Sequence, residues 1–277
     1  MKRGVLGVVT GAAIAWAMPA AAQLSNDTVK IGVATDMASL YSDINGPGAV
    51  AAVEMAIADF GGSVLGKKIE MVSGDVQNKA DVASSMAARW YDNEKVDVIL
   101  GAAASSSSIA IMGVAGDKKR VFLATDPASS DITGKLCNPY TIHWVYDTSA
   151  LANGTGSAVV KSGGKTWFFL TADYAFGYAL QRDVAAVVTK AGGQVLGEVR
   201  HPINTSDFSS FLLQAQASKA QIIGLANAGG DTISSIKQAA EFGIVKGGQK
   251  FAGLLVFASD VAAMGLPTAQ GLTLTET

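Results

Sequence analysis

Short apolar runs alternate with stretches of helical periodicity along the chain. Lys30–Ala34 (KIGVA), Lys68–Val72 (KIEMV), Val96–Leu100 (VDVIL) and Val121–Ala124 (VFLA) are brief, rich in Val and Ile, and predict strands. Between them Val82, Met86 and Trp90 fall at i, i+4 and i+8, one face of a helix. After about residue 146 the alternation starts afresh. Strands are predicted at Thr166–Leu170, Gln194–Leu196, Gln221–Leu225 and Lys250–Gly253, with a helix whose apolar stripe is Phe208, Phe211, Leu212 and Ala215. Gly46-Pro47-Gly48 reads as a turn before a helix. Strands alternating with helices imply right-handed βαβ units and parallel sheets, so the fold class is α/β. Two such series predict two similar doubly wound lobes, residues 23–145 and 146–277.

The first residues break this pattern. Lys2 and Arg3 precede an apolar stretch from Val5 to Met18, and Ala20-Ala21-Ala22 follows as a small-residue cleavage site. That is the three-part pattern of a secretory signal peptide, residues 1–22, with cleavage expected after Ala22 and a periplasmic location for the rest. The stretch falls short of the roughly 20 residues a membrane span wants. No Cys follows it to carry a lipid, so no stable membrane insertion is expected once the signal is removed.

Composition then narrows the partners. Residues 1–22 carry two cations and no anions, so the remainder has 19 basic against 23 acidic residues. A net negative chain argues against nucleic acid as a partner. Cys137 is the only cysteine, so stability rests on an apolar core and not on an intrachain disulfide. His143 and His201 are the only histidines and stand far apart, which predicts no metal site and no cofactor. Gly154-Thr155-Gly156 follows no predicted strand and lacks the third glycine of a dinucleotide fingerprint.

In open parallel sheets a ligand sits beyond the carboxyl ends of the strands. Two such ends are rich in small and hydroxyl residues. Leu100 is followed by GAAASSSS, in which Ser105 to Ser108 open the next helix, where free amides and the dipole favour hydroxyls or an anion. These hydroxyls can cap the helix, or one can hold a ligand carboxylate while another caps. Ala124 is followed by TDPASSD, residues 125–131. Tyr41, Tyr174 and Phe176 lie in loops after predicted strands, where aromatic side chains can clasp an apolar ligand or merely pack their own lobe; Trp144 is a weaker candidate of the same kind.

Several stretches taken in order resemble one family. They are VATD at 33–36 with the loop to Gly48, VLGKKI at 64–69, Gly101 to Ser108, ADYAFG at 172–177 and NTSDF at 204–208. Together they resemble the type I periplasmic solute-binding proteins of ABC transporters, in the branched-chain amino acid (leucine/isoleucine/valine) binding group. The resemblance implies two α/β lobes joined by a hinge and closing on a small ligand. It implies that Ser105, with Ser106 beside it, and groups at Asp126, Ala128 or Ser129 hold the ligand's carboxylate. It also implies a chain continuing for roughly another hundred residues, so the second lobe is expected to be incomplete here.

Departures from that pattern shape the expected ligand. The acidic residue that neutralises the ligand's ammonium in the amino acid binders aligns with Leu254-Leu255-Val256, and an aromatic position aligns near Ala228, while Phe176 stands for a tyrosine. A dry ammonium without a counter-charge is costly. The expected ligand is therefore a small carboxylate, aromatic or branched aliphatic, bound more tightly than leucine, with an amino acid as the alternative. Asp231 or Asp260 offers another route to a counter-charge. The expected protein is a non-enzymatic, monomeric receptor that delivers its ligand to the permease subunits of an importer. A ligand-sensing module of the same fold, feeding a regulator or chemoreceptor, is the alternative. A periplasmic hydrolase is disfavoured because the chain has no Gly-x-Ser-x-Gly elbow and Cys137 has no assigned base.

Overall fold

The computed structural model describes residues 27–275, so the signal peptide and its cleavage site lie outside the described residues. The first sheet is built from β1 (Val29–Thr35), β2 (Ser63–Val64), β3 (Lys67–Asp75), β4 (Val98–Gly101), β5 (Val121–Ala124) and β6 (Thr141–His143), in the order β2-β3-β1-β4-β5-β6. All its pairings are parallel except the short β2–β3 hairpin. The second sheet contains β7 (Thr166–Ala172), β8 (Gln194–His201), β9 (Ile222–Ala226), β10 (Lys250–Gly253) and β11 (Thr273–Leu274), in the order β11-β10-β9-β7-β8, and is parallel throughout. In each sheet the first parallel strand is flanked by the second on one side and the third on the other. The two lobes are thus doubly wound in the same sense, and each strand end of one has a counterpart in the other.

Central strands are apolar on both faces because helices cover both. In the first lobe α2 (Ala80–Asp92) and α3 (Ser105–Lys118) bury one face of the sheet, with Met86, Trp90, Ile111, Met112 and Phe122 in the core. Gly32 on β1 lets Trp90 lie directly on the sheet: a Cβ there would stand 2.6 Å from the indole ring. The opposite face carries α1 (Gly46–Asp59), of which Gly46 alone is buried, and Met55 and Phe60 beside it remain 67% and 65% exposed. In the second lobe α7 (Ser209–Ala217) and α8 (Gly229–Glu241) cover one face over Leu170, Phe208, Leu212 and Ile223. The other face packs Trp167 and Phe169 against α6 (Ala175–Lys190) and a helical run made of α4 (Thr148–Leu151), a π-helical turn (Ala152–Gly156) and α5 (Ser157–Lys161).

Three details differ from the sequence reading. Gly46-Pro47 is not a turn before the helix but its first turn, with the Asn45 side chain accepting the Gly46 amide at 2.6 Å and proline just inside the start. The strand begun at Gln194 runs on to His201, because alternate residues face solvent at the sheet edge and its second half reads as polar. Strand β6 has no apolar run of its own and owes its form to pairing with β5. No helix among the described residues is long and apolar enough to cross a membrane.

Candidate functional site

The strand ends of both lobes face each other across a cleft. Its floor keeps a small cavity of about 20 Å³ lined by Tyr41, Ile44, Ala103, Asp126, Ala128, Tyr146, Tyr174, Phe176, Ala228, Leu255 and Phe257. With the lobes in contact, that is room for little more than one water molecule. Seven of these residues were candidates from sequence; Ile44, Ala103, Tyr146 and Phe257 were not.

Asp36, at the end of β1, organises the loop that delivers Tyr41. Its buried carboxylate accepts the amides of Ser39 and Tyr41, both at 2.8 Å, the Ser39 hydroxyl and the Asn78 amide at 2.6 Å. Burial pushes its pKa up, but these hydrogen bonds overcome that and hold it below the usual carboxylate range. The chain is thereby turned so that the Tyr41 hydroxyl meets the Tyr174 hydroxyl of the other lobe at 2.6 Å. Both phenols are raised above their ordinary pKa, chiefly by burial, so the pair is a neutral hydrogen bond. The Tyr174 ring leads on to Phe176, with centroids 6.0 Å apart, and forms an aromatic wall at the start of α6.

The serine run sits where β4 ends. Gly101 and Ala102 both take positive φ, 103° and 67°. At Gly101 any side chain is excluded, since a Cβ would stand 2.3 Å from the Ala34 carbonyl. Ala104 occupies the cap position of α3, with no side-chain cap bond, so the capping role considered for the serines is not what the structure shows. Ser105 is buried and its Oγ accepts the amide of Ser129 at 3.3 Å. Ser106 accepts the amide of Ala175 at 3.4 Å, a bond from the first lobe to the second. Ser108 donates back to the Ala102 carbonyl at 2.5 Å, and the Ser107 hydroxyl is buried without a partner.

After β5, Thr125 donates to the Asp126 carboxylate at 3.1 Å, and Ala128 and Ser129 are buried on the same loop. Burial raises the Asp126 pKa, opposed by the neighbouring Asn45 and Thr125. In the second lobe Ala228 and Leu255 line the cavity with apolar surface. Asp231 does not join them: its two oxygens accept the amides of Asn204 and Thr205, each at 3.0 Å, and it lines a separate inter-lobe crevice with Ser39, Asp43 and Asp260. Burial raises its pKa to about 6 despite those bonds. Asp260 caps its own helix, accepting the Phe257 amide at 2.9 Å, and Trp144 is 79% exposed outside the cavity.

The lobes are also tied beside the connection between them. Arg182 of α6 pairs with Asp131 at 2.9 Å and donates to the Ser130 hydroxyl, while Asp183 accepts from both Ser130 and Thr148. Among the described residues no group of three or more His, Cys, Asp or Glu side chains is placed to hold a metal ion. The cavity is lined by aromatic and aliphatic side chains from both lobes and the Asp126 carboxyl, while Ser105, Ser106 and Ser129 are not among its lining residues.

Comparison with known proteins gives this geometry a family. The chain is 58% identical to a periplasmic binding protein of Burkholderia mallei over 90% of its own length, with a TM-score of 0.88. It is 41% identical to a branched-chain amino acid ABC transporter periplasmic ligand-binding protein of Burkholderia xenovorans over 88% of its length, TM-score 0.71. It is also 27% identical to an ABC transporter solute-binding protein of Rhodopseudomonas palustris, solved in complex with 3,4-dihydroxybenzoic acid, over 82% of its length, TM-score 0.73. The chain spans 66%, 66% and 62% of those three chains. A family model described as periplasmic binding protein matches residues 28–277. With two doubly wound lobes, a cleft between their strand ends and that match over nearly its whole length, the chain belongs to the periplasmic binding proteins.

Proposed function

We propose that the protein is the ligand receptor of an ABC importer and closes its cleft on one small carboxylate with an apolar, aromatic or branched aliphatic body. The observation that carries this is the pairing of Ser105 with the Ser129 amide beside a cavity walled by Tyr174, Phe176 and Leu255. Ser105 Oγ accepts from Ser129, which leaves its own proton for a ligand oxygen. The apolar walls suit the rest of a small organic acid. The names of the related proteins support the same range of ligands, a branched-chain amino acid transporter on one side and a dihydroxybenzoate complex on the other. The same relatives, named as ABC transporter proteins, support delivery to permease subunits, for which a monomeric receptor suffices.

A thermal-shift screen tests the reading, because a ligand that binds only the folded form raises the melting temperature by mass action. The panel holds branched-chain and aromatic amino acids, benzoates and branched aliphatic acids. At least one of these is expected to shift the melt, and the shift should vanish when the carboxylate is replaced by a primary amide. A panel that leaves the melt unmoved, alongside a sugar or polyamine that shifts it, would overturn the proposal.

A further inference from the structure

The cleft contains one side chain that fits neither its walls nor a bare carboxylate ligand. Among the lining residues Asp126 alone carries a carboxyl, and no Lys, Arg or His lines the cavity with it. Its neighbours do not neutralise it. Thr125 donates one hydrogen bond, and the buried Asn45 side chain beside it offers at most a second neutral donor. The carboxyl alone makes a charged corner in a cavity that is otherwise phenol, aromatic ring and aliphatic carbon. A half-buried carboxylate among apolar groups, with no cation beside it, gains when a donor arrives to pair with it.

The position of this corner specifies what arrives. Asp126 and Ser129 belong to one short loop, and Ser105 bonds to that loop from the neighbouring strand end. A ligand carboxylate held at Ser105 and Ser129 therefore has its adjacent carbon near Asp126. Accepting the proposed function above, we propose that Asp126 is the specificity-determining residue of the cleft, accepting a hydrogen bond from an amino or hydroxyl group on the carbon next to the ligand's carboxylate. The counter-charge that the second lobe lacks at Leu255 is supplied from the first lobe. Burial, which raises the pKa of this group, is also what makes its pairing with a donor discriminating. An acid with no donor there meets a like charge, or must bind with Asp126 protonated.

Two matched series test this by calorimetric titration, one built on phenylalanine and one on leucine. Each comprises the amino acid, the 2-hydroxy acid and the acid with neither group. The wild-type protein is expected to bind a donor-bearing member of at least one series about tenfold or more tighter than the unsubstituted acid. The amino and hydroxy members then identify which donor is read. In Asp126→Asn that preference should fall to within about threefold, with the unsubstituted acid bound as tightly as before or tighter. A wild-type protein that binds the unsubstituted acids best overturns the assignment, whether or not the variant folds. An Asp126→Asn protein with a wild-type melt and an equal loss for all members overturns it too, since that marks a structural role. If no member binds while an unrelated ligand shifts the melt, the carboxylate reading itself fails and this assignment with it.

Discussion

The two lobes share one strand order and differ at their strand ends. In the first, the ends of β1, β4 and β5 lead into Asp36, Ser105, Asp126 and Ser129, polar groups held by short local bonds. In the second, the ends of β7, β9 and β10 lead into Tyr174, Phe176, Ala228, Leu255 and Phe257, which bring mostly apolar surface. The same scaffold thus carries two kinds of strand end. Hydrogen bonds within the strand-end loops stand on one lobe, and most of the apolar lining comes from the other. Asp231 and Asp260 are exceptions, buried acids at the cleft side of the apolar lobe, and Asp231 is bonded to two amides of its own lobe. Breaking the contrast between the lobes therefore begins there.

The largest effect is expected from pH. Asp231 has its carboxyl raised to about 6 in the folded protein from 3.8 in the free chain, mainly by burial. Below pH 3.8 both states are protonated and the group contributes nothing. Between about 4 and 6 the unfolded chain ionises first, so stability attributable to this residue is lost as pH rises, and above about 6 the loss is constant. The full penalty is about 3 kcal/mol at 1.36 kcal/mol per pKa unit. Denaturant melts from pH 4 to 7 should show this slope, and Asp231→Asn should flatten it even if the variant is less stable throughout. An unchanged slope in the variant would place the titration elsewhere.

Next in size is Ser105→Ala. Loss of a hydrogen bond to a charged ligand group should weaken binding by about 1.5–3 kcal/mol, read by calorimetric titration. The same substitution strips the buried Ser129 amide of its acceptor, so a stability loss of about 1–3 kcal/mol is expected as well. Wild-type affinity with only an earlier melt would move the carboxylate away from the serine run. From the other side of the cleft, Tyr174→Phe removes the hydroxyl bond to Tyr41 and should cost about 0.5–1.5 kcal/mol of affinity, because the bond exists only when the lobes meet. The isolated first lobe contributes nothing to that bond, so an equal loss of stability in the absence of ligand would mean that the lobes are closed without it.

How much of this was legible in the sequence depends on what each residue answers to. Strands buried on both faces, such as β1, β7 and β9, announce themselves as apolar runs, whereas β6 and the second half of β8 lie at sheet edges, where pairing and not hydrophobicity makes the strand. Strand-end reasoning finds loops, so it brought Tyr41, Tyr174 and Phe176 to notice, and the family resemblance added Asp126, Ala128, Ala228 and Leu255; all seven line one cavity. Tyr146 escaped because it follows the unforeseen β6, and Asn45 because it lies ten residues beyond the end of β1. Sequence could not say which serine does what. Successive side chains on a helix point about 100° apart at 3.6 residues per turn, so four adjacent hydroxyls face four environments. Ser105 reaches the 125–129 loop, Ser106 the other lobe, Ser108 its own strand end, and Ser107 none of these.

Ser107 gives the smallest expected effect and the sharpest one for the polar lobe. The sequence makes it a candidate cap, whose removal should cost about 0.5–2 kcal/mol. In the fold Ala104 precedes α3 at the cap position with no side-chain cap bond, and the Ser107 hydroxyl is buried without a hydrogen-bond partner. A buried hydroxyl that bonds to nothing has lost its water and gained no replacement, so deleting it relieves a cost and removes no bond. Ser107→Ala also replaces a poorer helix former with the best one. The variant should therefore melt at the same denaturant concentration as the wild type or higher, with a gain of up to about 1 kcal/mol and unchanged ligand affinity. A loss of more than about 0.5 kcal/mol would show that the hydroxyl serves the first turn of α3 after all, and that all four serines belong to the bonded half of the cleft.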